Sequence, residues 1–465
     1  MATKRNTNTY TNEWGIASND KDEFVGININ ALLRKYRRIF PTARTKSGIY
    51  YEYDKQGFWK RIEKVDIKRR LRRIIHKFKP DIWDAEIDRE VETILPLSCF
   101  PFEKLKDASN YINLKNGLLD LRTFDLLPHS KLIASLAQLP FNYNPKAKCP
   151  VFKETFLKQT FMEDKQLIMR VQEMMGYCLS PDTKAQAFFI LYSEGSSGKS
   201  VLCSIMRELA GGAENVSSVT LANLDKNFQR SQLYGKVLNI STENEANKIS
   251  TEALKAISSG DPIQIEEKYK APFTARVTTK MLFAMNTLPV AKDTIYAFYR
   301  RIILIPFPAK FVDNPEKDNE FKRDLHIEAE LMKELPGILA WSIKGLKRLM
   351  MNNYQFTRSV LSDNLMTEYC RYTAPVFDFV VECVKEASSD NRIDTDMLYS
   401  AYRQWHLKSG FNNPLSKNNY LKELRNSLNQ RKIPYEEPHS GNKRYFSGII
   451  LANNYQAERV SSDYE

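Results

Sequence analysis

The run Phe188-Phe189-Ile190-Leu191-Tyr192-Ser193-Glu194-Gly195-Ser196-Ser197-Gly198-Lys199-Ser200 has the make-up of a phosphate-binding loop: an apolar strand, a glycine-bearing turn, and Lys-Ser at the start of a helix. Triphosphate chemistry needs backbone N–H groups that converge on the phosphates, a cation to offset their charge and a hydroxyl to hold magnesium. Gly195 and Gly198 permit the turn, Ser196 and Ser197 lie within it, Lys199 supplies the charge and Ser200 the hydroxyl. Ser193 stands where the general pattern has its first glycine. A glycine-rich turn before an ordinary helix is the competing reading.

Such a loop works with an acidic residue that completes the magnesium shell and orients the attacking water, at the end of the next core strand. Val237-Leu238-Asn239-Ile240-Ser241-Thr242-Glu243-Asn244-Glu245 has that form, with Glu243 the first choice and Glu245 the second. Acidic residues also follow apolar strands in ordinary loops. Met281-Leu282-Phe283-Ala284-Met285-Asn286 ends a further strand in an amide, which donates and accepts and so suits a water held against a terminal phosphate. A turn-making Asn is the equal alternative. Arg300 and Arg301 precede Ile302-Ile303-Leu304-Ile305-Pro306-Phe307, where an arginine presented to a neighbour's nucleotide would stabilise charge on the transferred phosphoryl group. Paired surface arginines are the ordinary reading. Between the acidic and amide strands, residues 263–276 alternate like a hairpin with Lys268, Tyr269 and Lys270 near its tip. Lysines grip phosphates and a ring can stack on bases; a routine solvated turn is the alternative.

An α/β domain must position these groups, and 187–311 provides short apolar strands alternating with helices, as around a parallel sheet. The polar opening, 1–22, is expected to be a loose tail, with too few apolar residues to offset its ordering entropy. Residues 23–180 read as a mostly helical domain or collar, with a hairpin over 48–59, turn chemistry at Asn116-Gly117, and helical periodicity from Phe152 to about Leu179 closed by Pro181-Asp182. The densest basic run, Lys68-Arg69-Arg70-Leu71-Arg72-Arg73, reads first as a solvated helix face and second as a nucleic-acid contact. The nucleotide domain takes 181–350 and turns helical after about Pro315. Residues 351–374 read as a linker, and 375–465 as a small domain of three helices and a strand over 444–451, resembling a winged helix.

The chain has 465 residues, room for about two to four domains. A formal net charge of +13 favours a polyanionic partner, although solubility alone explains such an excess equally well. The six cysteines, Cys99, Cys149, Cys178, Cys203, Cys370 and Cys383, form no Cys-x-x-Cys pair, which argues against a zinc site or a disulfide framework and for a reducing compartment. No apolar run is long enough to cross a bilayer, so the expected location is the cytoplasm of a host cell, with no membrane partner.

The order of phosphate loop, acidic strand, Ser259-Gly260-Asp261-Pro262, lysine-tipped hairpin, Asn-ended strand and Arg-Arg-Ile resembles superfamily 3 helicases, and among them the poxvirus and phage/plasmid primase-helicase group. Gly260-Asp261-Pro262-Ile263, Arg300-Arg301 and Ile305-Pro306-Phe307 carry the likeness. Asn116-Gly117-Leu118-Leu119-Asp120-Leu121, Ala147-Lys148-Cys149-Pro150 and Gly176-Tyr177 extend it upstream. The resemblance covers about 50–311 well and the C-terminal region more loosely. It implies an AAA+-type P-loop ATPase domain between a helical N-terminal domain and a C-terminal winged-helix-like domain. It implies ATP and Mg2+ bound through Lys199 and Ser200, Glu243 in the second acidic motif, and Asn286 sensing the γ-phosphate. Arg300 or Arg301 would act in trans, and Lys268 and Lys270 would line a central channel. Ser193, Ser197 where the group often has Asn, and Thr242-Glu243 in place of adjacent acids depart from the pattern and leave the metal ligand open.

The implied partners are single-stranded and forked DNA, origin DNA, further copies of the chain in a hexameric ring, and replication proteins such as a primase and a polymerase of the host or element. The leading expectation is a DNA helicase for replication of a phage, plasmid or genomic island. No primase catalytic domain is expected, since few residues precede Tyr50. The alternatives are an origin-binding initiator whose ATPase drives assembly, and a clamp loader or other ATPase that does not unwind.

Overall fold

Near the N-terminus, apolar residues at helical spacing are interleaved with short β-branched and aromatic runs, and both kinds of element form. A computed structural model describes residues 9–242, 251–289, 296–373, 375–410, 413–431, 433–440 and 443–452. Helix α1 (Ile29–Ile39) starts at Asn28, whose side chain accepts from the Ala31 N–H, and buries Ile29, Leu32, Leu33 and Tyr36 along one face. Strands β1 (Thr42–Arg44), β2 (Tyr50–Tyr53) and β3 (Trp59–Ile62) are followed by helices α2 (Lys64–Phe78) and α3 (Ala85–Ser98) and strand β4 (Phe100–Pro101). The sheet order is β3-β2-β1-β4, with β2 and β3 forming the hairpin expected over 48–59. A second sheet follows from β5 (Tyr111–Leu114), β6 (Gly117–Asp120) and β7 (Leu126–Leu127). The N-terminal region is therefore mixed, not mostly helical. The tail expected to be loose also carries structure from Tyr10: Tyr10–Thr11 pairs with Ile16–Ser18, which pairs with Phe24–Ile27, and Trp14 and Ile16 are buried.

A π-helical turn, Val151–Leu157, leads through Lys158–Thr160 toward α4 (Lys165–Cys178), so the single helix expected over this stretch is two. The central unit then unfolds in chain order as β8 (Phe188–Tyr192), α5 (Lys199–Ala210), β9 (Val216–Ser217), β10 (Leu238–Ser241), α6 (Glu252–Ser259), β11 (Pro262–Ile265), β12 (Phe273–Arg276), β13 (Lys280–Met285) and β14 (Ile302–Pro306). Strands β11 and β12 form the antiparallel hairpin. The others make a five-stranded parallel sheet in the order β9-β10-β13-β8-β14. Its inner strands are covered on both faces, which is why β8, and β13 from Met281 on, read as apolar runs instead of alternating ones. The chain crosses from β8 to β9 on one side and later adds β14 on the other. The strand ends beside β8 are thus a topological switch point, where open α/β sheets bind ligands.

Beyond the sheet the helices expected from Pro315 begin later. Strands β15 (Lys310–Val312) and β16 (Glu320–Lys322) pair in parallel first, and α7 (Ile327–Lys333) and α8 (Leu335–Met351) follow. The expected linker holds a docked helix, α9 (Val360–Thr373): the Ser362 hydroxyl donates to the Leu304 carbonyl, and Asp363 pairs with Arg170 at 3.0 Å. The C-terminal unit has its own core and includes α10 (Pro375–Cys383), β17 (Val384–Glu386), β18 (Arg392–Asp394), α11 (Thr395–Lys408), α12 (Lys417–Gln430), β19 (Lys443–Ser447), which pairs with His439–Ser440, and β20 (Ile449–Leu451). The single strand expected over 444–451 is broken at Gly448, whose φ of +84° suits glycine and re-aims the chain to pair with β17.

Helices α4 and α8 cross at a glycine contact: a Cβ on Gly176 would lie 2.2 Å from the Ser342 carbonyl oxygen, and one on Gly345 would lie 2.4 Å from that of Gln172. Beside them Arg348 pairs at 2.7 Å with the buried Glu173, which also accepts from the Thr357 N–H and hydroxyl. Gly176→Ala is expected to lower stability by about 1–3 kcal/mol through overpacking, measured as a lower denaturation midpoint. An unchanged midpoint would show that the helices are not in close contact.

Candidate functional site

The loop after β8 is shaped by backbone conformations that few residues tolerate. Gly195 has φ +138°, Ser196 +47° and Gly198 +86°, and Gly198 caps α5 in the left-handed region. A Cβ on Gly195 would meet nothing within 4 Å, so the turn opens toward free space in front of the helix N-terminus. The Ser196 carbonyl accepts from the Phe311 N–H at 2.7 Å, which ties the loop to β15. Ser193 is absent from the positive-φ residues, so its position has no need of glycine. Its hydroxyl instead lies 2.6 Å from that of Ser197 and within hydrogen-bond reach of Lys199. The departure from the general pattern is filled by an interaction.

Lys199 is buried, with its ammonium donating to the Ser193 carbonyl and to Asn286 Oδ1, each at 2.8 Å. Burial pushes its pKa down, because the charged form has lost water. No carboxylate among the described residues pairs with it. A cation held by neutral oxygens at a helix N-terminus is a ready site for an anion. The cavity in front of it, about 580 Å3, is walled by Gly195, Ser196, Ser197, Gly198, Lys199, Ser200, Thr242 and Asn286. The loop at the end of β8 and the amide at the end of β13 therefore meet, as the parallel register of those strands requires. Glu243 and Glu245 lie outside the described residues; Thr242 is the last described residue before them.

The far wall was not legible in the sequence. Thr155, Phe156 and Gln159 come from the turn preceding α4, and Phe311, Lys322, Arg323, Asp324 and Ile327 from the segment after the sheet. Phe156 and Phe311 lie against Gly198, where a Cβ would contact both rings at 3.4 Å. The alternation around β15 and β16 was the available signal, and it is too short to separate from loop.

Arg300 and Arg301 sit at the opposite end of the sheet. Ile302 is in register with Phe188, which puts the arginines about 17 Å from the loop at ~3.3 Å per strand residue. They do not join the cavity of their own chain. Arg301 is buried, donates to Ser259 Oγ at 2.9 Å, and has its pKa lowered by burial and by Arg300. Arg300 is exposed and bonds Gln186 Oε1 at 3.1 Å.

At the hairpin tip Lys268 and Tyr269 are exposed, with Tyr269 in the left-handed region at φ +63°. Lys270 is engaged within the chain: its ammonium lies 2.7 Å from Glu63 and 3.2 Å from Glu267, and Arg61 grips Glu267 with two bonds of 2.5 and 2.9 Å. Phe228, half-exposed beside Lys268 and Tyr269, is a further aromatic at the tip that the motif reading missed.

Three family models match successive parts of the chain. Residues 30–162 match the D5 N terminal like family, 191–301 a family of unknown function (DUF5906), and 373–457 the Poxvirus D5 protein-like family. The provisionally named helicase L207/L206 of Acanthamoeba polyphaga mimivirus is 24% identical over 302 residues, covering 61% of this chain and 30% of that protein. The provisionally named helicase 121R of Invertebrate iridescent virus 3 is 23% identical over 320 residues, covering 58% and 34%. The chain spans about a third of the length of the curated relatives it matches. Among solved structures, the apo form of the NrS-1 C terminal region aligns over 90% of this chain and 98% of that one, at 14% identity and a TM-score of 0.47. The fold is a mixed α/β one with a glycine loop at the switch point of a parallel sheet. The two D5-like family matches and the viral relatives support a likeness to a D5-like superfamily 3 helicase group.

No helix among the described residues is long and apolar enough to cross a membrane. The different settings of the two arginines lead to different expected losses on substitution. Arg301→Ala should cost about 1.5–3 kcal/mol of stability by removing a buried charged hydrogen bond, whereas Arg300→Ala should stay within about 0.5 kcal/mol of wild type. Denaturant titrations of both variants check this; equal losses would contradict the assignment of Arg301 to the fold.

Proposed function

We propose that this chain is the ATP-hydrolysing motor of a DNA helicase that replicates a virus, phage, plasmid or other mobile element, working as a ring of copies around single-stranded DNA. The observation that carries the reading is the buried Lys199, whose partners among the described residues are neutral oxygens at the mouth of a glycine loop, Asn286 being one of them. A nucleoside triphosphate fits this donor set: the open turn offers N–H groups, the helix N-terminus favours negative charge, and Lys199 exchanges its internal acceptors for phosphate oxygens. Magnesium would be held by the Ser200 hydroxyl with Glu243 or Glu245, and when bound it offsets charge on the phosphate oxygens. Once Lys199 turns to the phosphates, the amide of Asn286 is free to orient water beside the terminal one.

An AAA+-type arrangement is favoured by the position of the arginines. An arginine about 17 Å from its own loop contributes to hydrolysis only at a neighbour's site, and Arg300, exposed and bonded to Gln186, is a better candidate for that role than the buried Arg301. Hydrolysis at such junctions would move the hairpins, with Lys268 gripping phosphates and Tyr269 stacking on bases. Lys270 would join them on release from Glu63 and Glu267.

A second reading, an origin-binding initiator, is favoured by the C-terminal unit. Helix α12 turns Asn418, Asn419 and Lys422 to solvent, side chains suited to base edges and phosphates, and the antiparallel pair of His439–Ser440 with β19 follows where a wing would lie. Removing residues after 374 should abolish origin-specific binding under this reading and leave unwinding of a forked duplex intact under the first.

Strand displacement on 3′- and 5′-tailed forks, run beside ATPase assays, tests the proposal. Lys199→Ala is expected to lower DNA-stimulated hydrolysis by roughly 100-fold or more, and the Lys268→Ala/Lys270→Ala protein to hydrolyse ATP but displace no strand. Wild-type hydrolysis by the first variant would sink the motor; wild-type displacement by the second would sink the role of the hairpin.

A further inference from the structure

The basic run at the start of α2 separates in three dimensions into two sets with different surroundings. Lys68 pairs with Asp88 at 2.6 Å and Glu92 at 2.9 Å, Lys64 also reaches Glu92, and Arg70 pairs with Glu52 at 2.5 Å while lying 4.5 Å over the Phe40 ring. These three hold α2 to α3, β2 and the end of α1. Arg69, Arg72, Arg73, His76 and Lys77 form the other set, exposed and spaced along one side of the helix. Arg69 meets Asp66 at 3.0 Å and His76 faces Asp81 at 3.8 Å. No carboxylate among the described residues pairs with Arg72, Arg73 or Lys77.

Like charges three and four residues apart destabilise a helix. Arg69 with Arg72 and Arg73, and Arg73 with Lys77, are such pairs. The helix dipole favours cations only in the last turn, which accounts for His76 and Lys77 but not for Arg69, Arg72 and Arg73. Asp66 offsets Arg69, but no carboxylate among the described residues offsets Arg72, Arg73 or Lys77, and an external polyanion would. The place of the stripe is informative. Helix α2 begins one residue after Glu63, which holds Lys270 at the hairpin tip. The stripe therefore leads away from that tip, and from Arg69 to Lys77 it runs about 12 Å, the axial span of three or four successive phosphates on one strand.

We infer that the outer face of α2 is a second nucleic-acid site, taking the phosphate backbone of DNA that continues from the hairpin tip. The choice of DNA rests on the helicase reading; the demand for a phosphate backbone rests on the stripe itself. Contacts of this kind position the nucleic acid and carry no sequence information. An acidic protein surface is the rival occupant.

The test measures binding of the full chain to labelled single-stranded and duplex DNA, without nucleotide, across a salt series. It compares wild type, Arg72→Ala/Arg73→Ala/Lys77→Ala, and an equal-charge control, Lys104→Ala/Lys131→Ala/Lys146→Ala, whose lysines are exposed elsewhere on the N-terminal region. Circular dichroism and melting establish that each is folded; alanine favours the helix. The stripe variant is expected to bind more weakly, with the slope of log K against log salt shallower by about 2 on single strands or about 2.7 on duplex, while the control keeps the wild-type slope. A stripe variant that matches wild type, or a control that loses as much, overturns the inference, and so does wild type that binds neither DNA. Strand displacement separates the two claims. Wild type that binds with the stripe-dependent slope but displaces no strand would refute the helicase reading and leave the site standing; displacement with an unchanged slope in the stripe variant would refute the site alone.

Discussion

An ammonium group held out of water by neutral oxygens, with no carboxylate partner among the described residues, is the feature on which the candidate site depends. Lys199 is buried between the Ser193 carbonyl and the Asn286 amide oxygen, and its lowered pKa records what that position costs the charged form. A carboxylate at the same distance would neutralise it and leave nothing to attract a phosphate. The parallel register of β8 and β13 delivers the two partners to one point, and the left-handed Gly198 starts α5 so that its N-terminus faces the same space. Sheet order, loop conformation and a charge held by neutral acceptors thus describe one constraint from three sides.

The same sheet imposes a separation. Parallel strands put every C-terminal end on one edge and every N-terminal start on the other, so residues before β14 lie a full strand length from residues after β8. Arg300 and Arg301 are adjacent in sequence and differ in the fold: the second is bonded into the interior through Ser259, and the first faces solvent. The hairpin shows a comparable division, with Lys270 tied to Glu63 and Lys268 exposed. Through Arg61, Glu63 and the Tyr51–Tyr234 hydroxyl pair at 2.8 Å, the N-terminal region is fastened to the unit that carries the hairpin. A displacement of the tip would strain or break those ion pairs.

Much of the phosphate side of the cavity was legible in the sequence, because a strand, a glycine turn and a Lys-Ser pair are contiguous and their physics is local. Asn286 was legible as a strand end, and its distance from Lys199 followed only from strand order. Phe156, Phe311 and Arg323 were not legible, since they reach the cavity from segments more than a hundred residues apart and no local pattern marks them. The docked helix α9 was missed for a related reason: its contacts to Leu304 and Arg170 are long-range, and its weakly amphipathic sequence resembles a connector. Compositional reasoning also misjudged the opening residues, where Trp14 and Ile16 supply a buried anchor within a polar stretch.

The central claim, that catalysis needs Lys199 of one copy and Arg300 of another, is tested most directly by mixing. Lys199→Ala and Arg300→Ala proteins, each expected to be nearly inert as an ATPase, are combined and assayed with single-stranded DNA. Junctions that join an intact Lys199 to a neighbour's intact Arg300 should restore a measurable fraction of wild-type hydrolysis. Wild-type hydrolysis by Arg300→Ala alone, or two inert proteins that recover nothing when co-assembled, would contradict it.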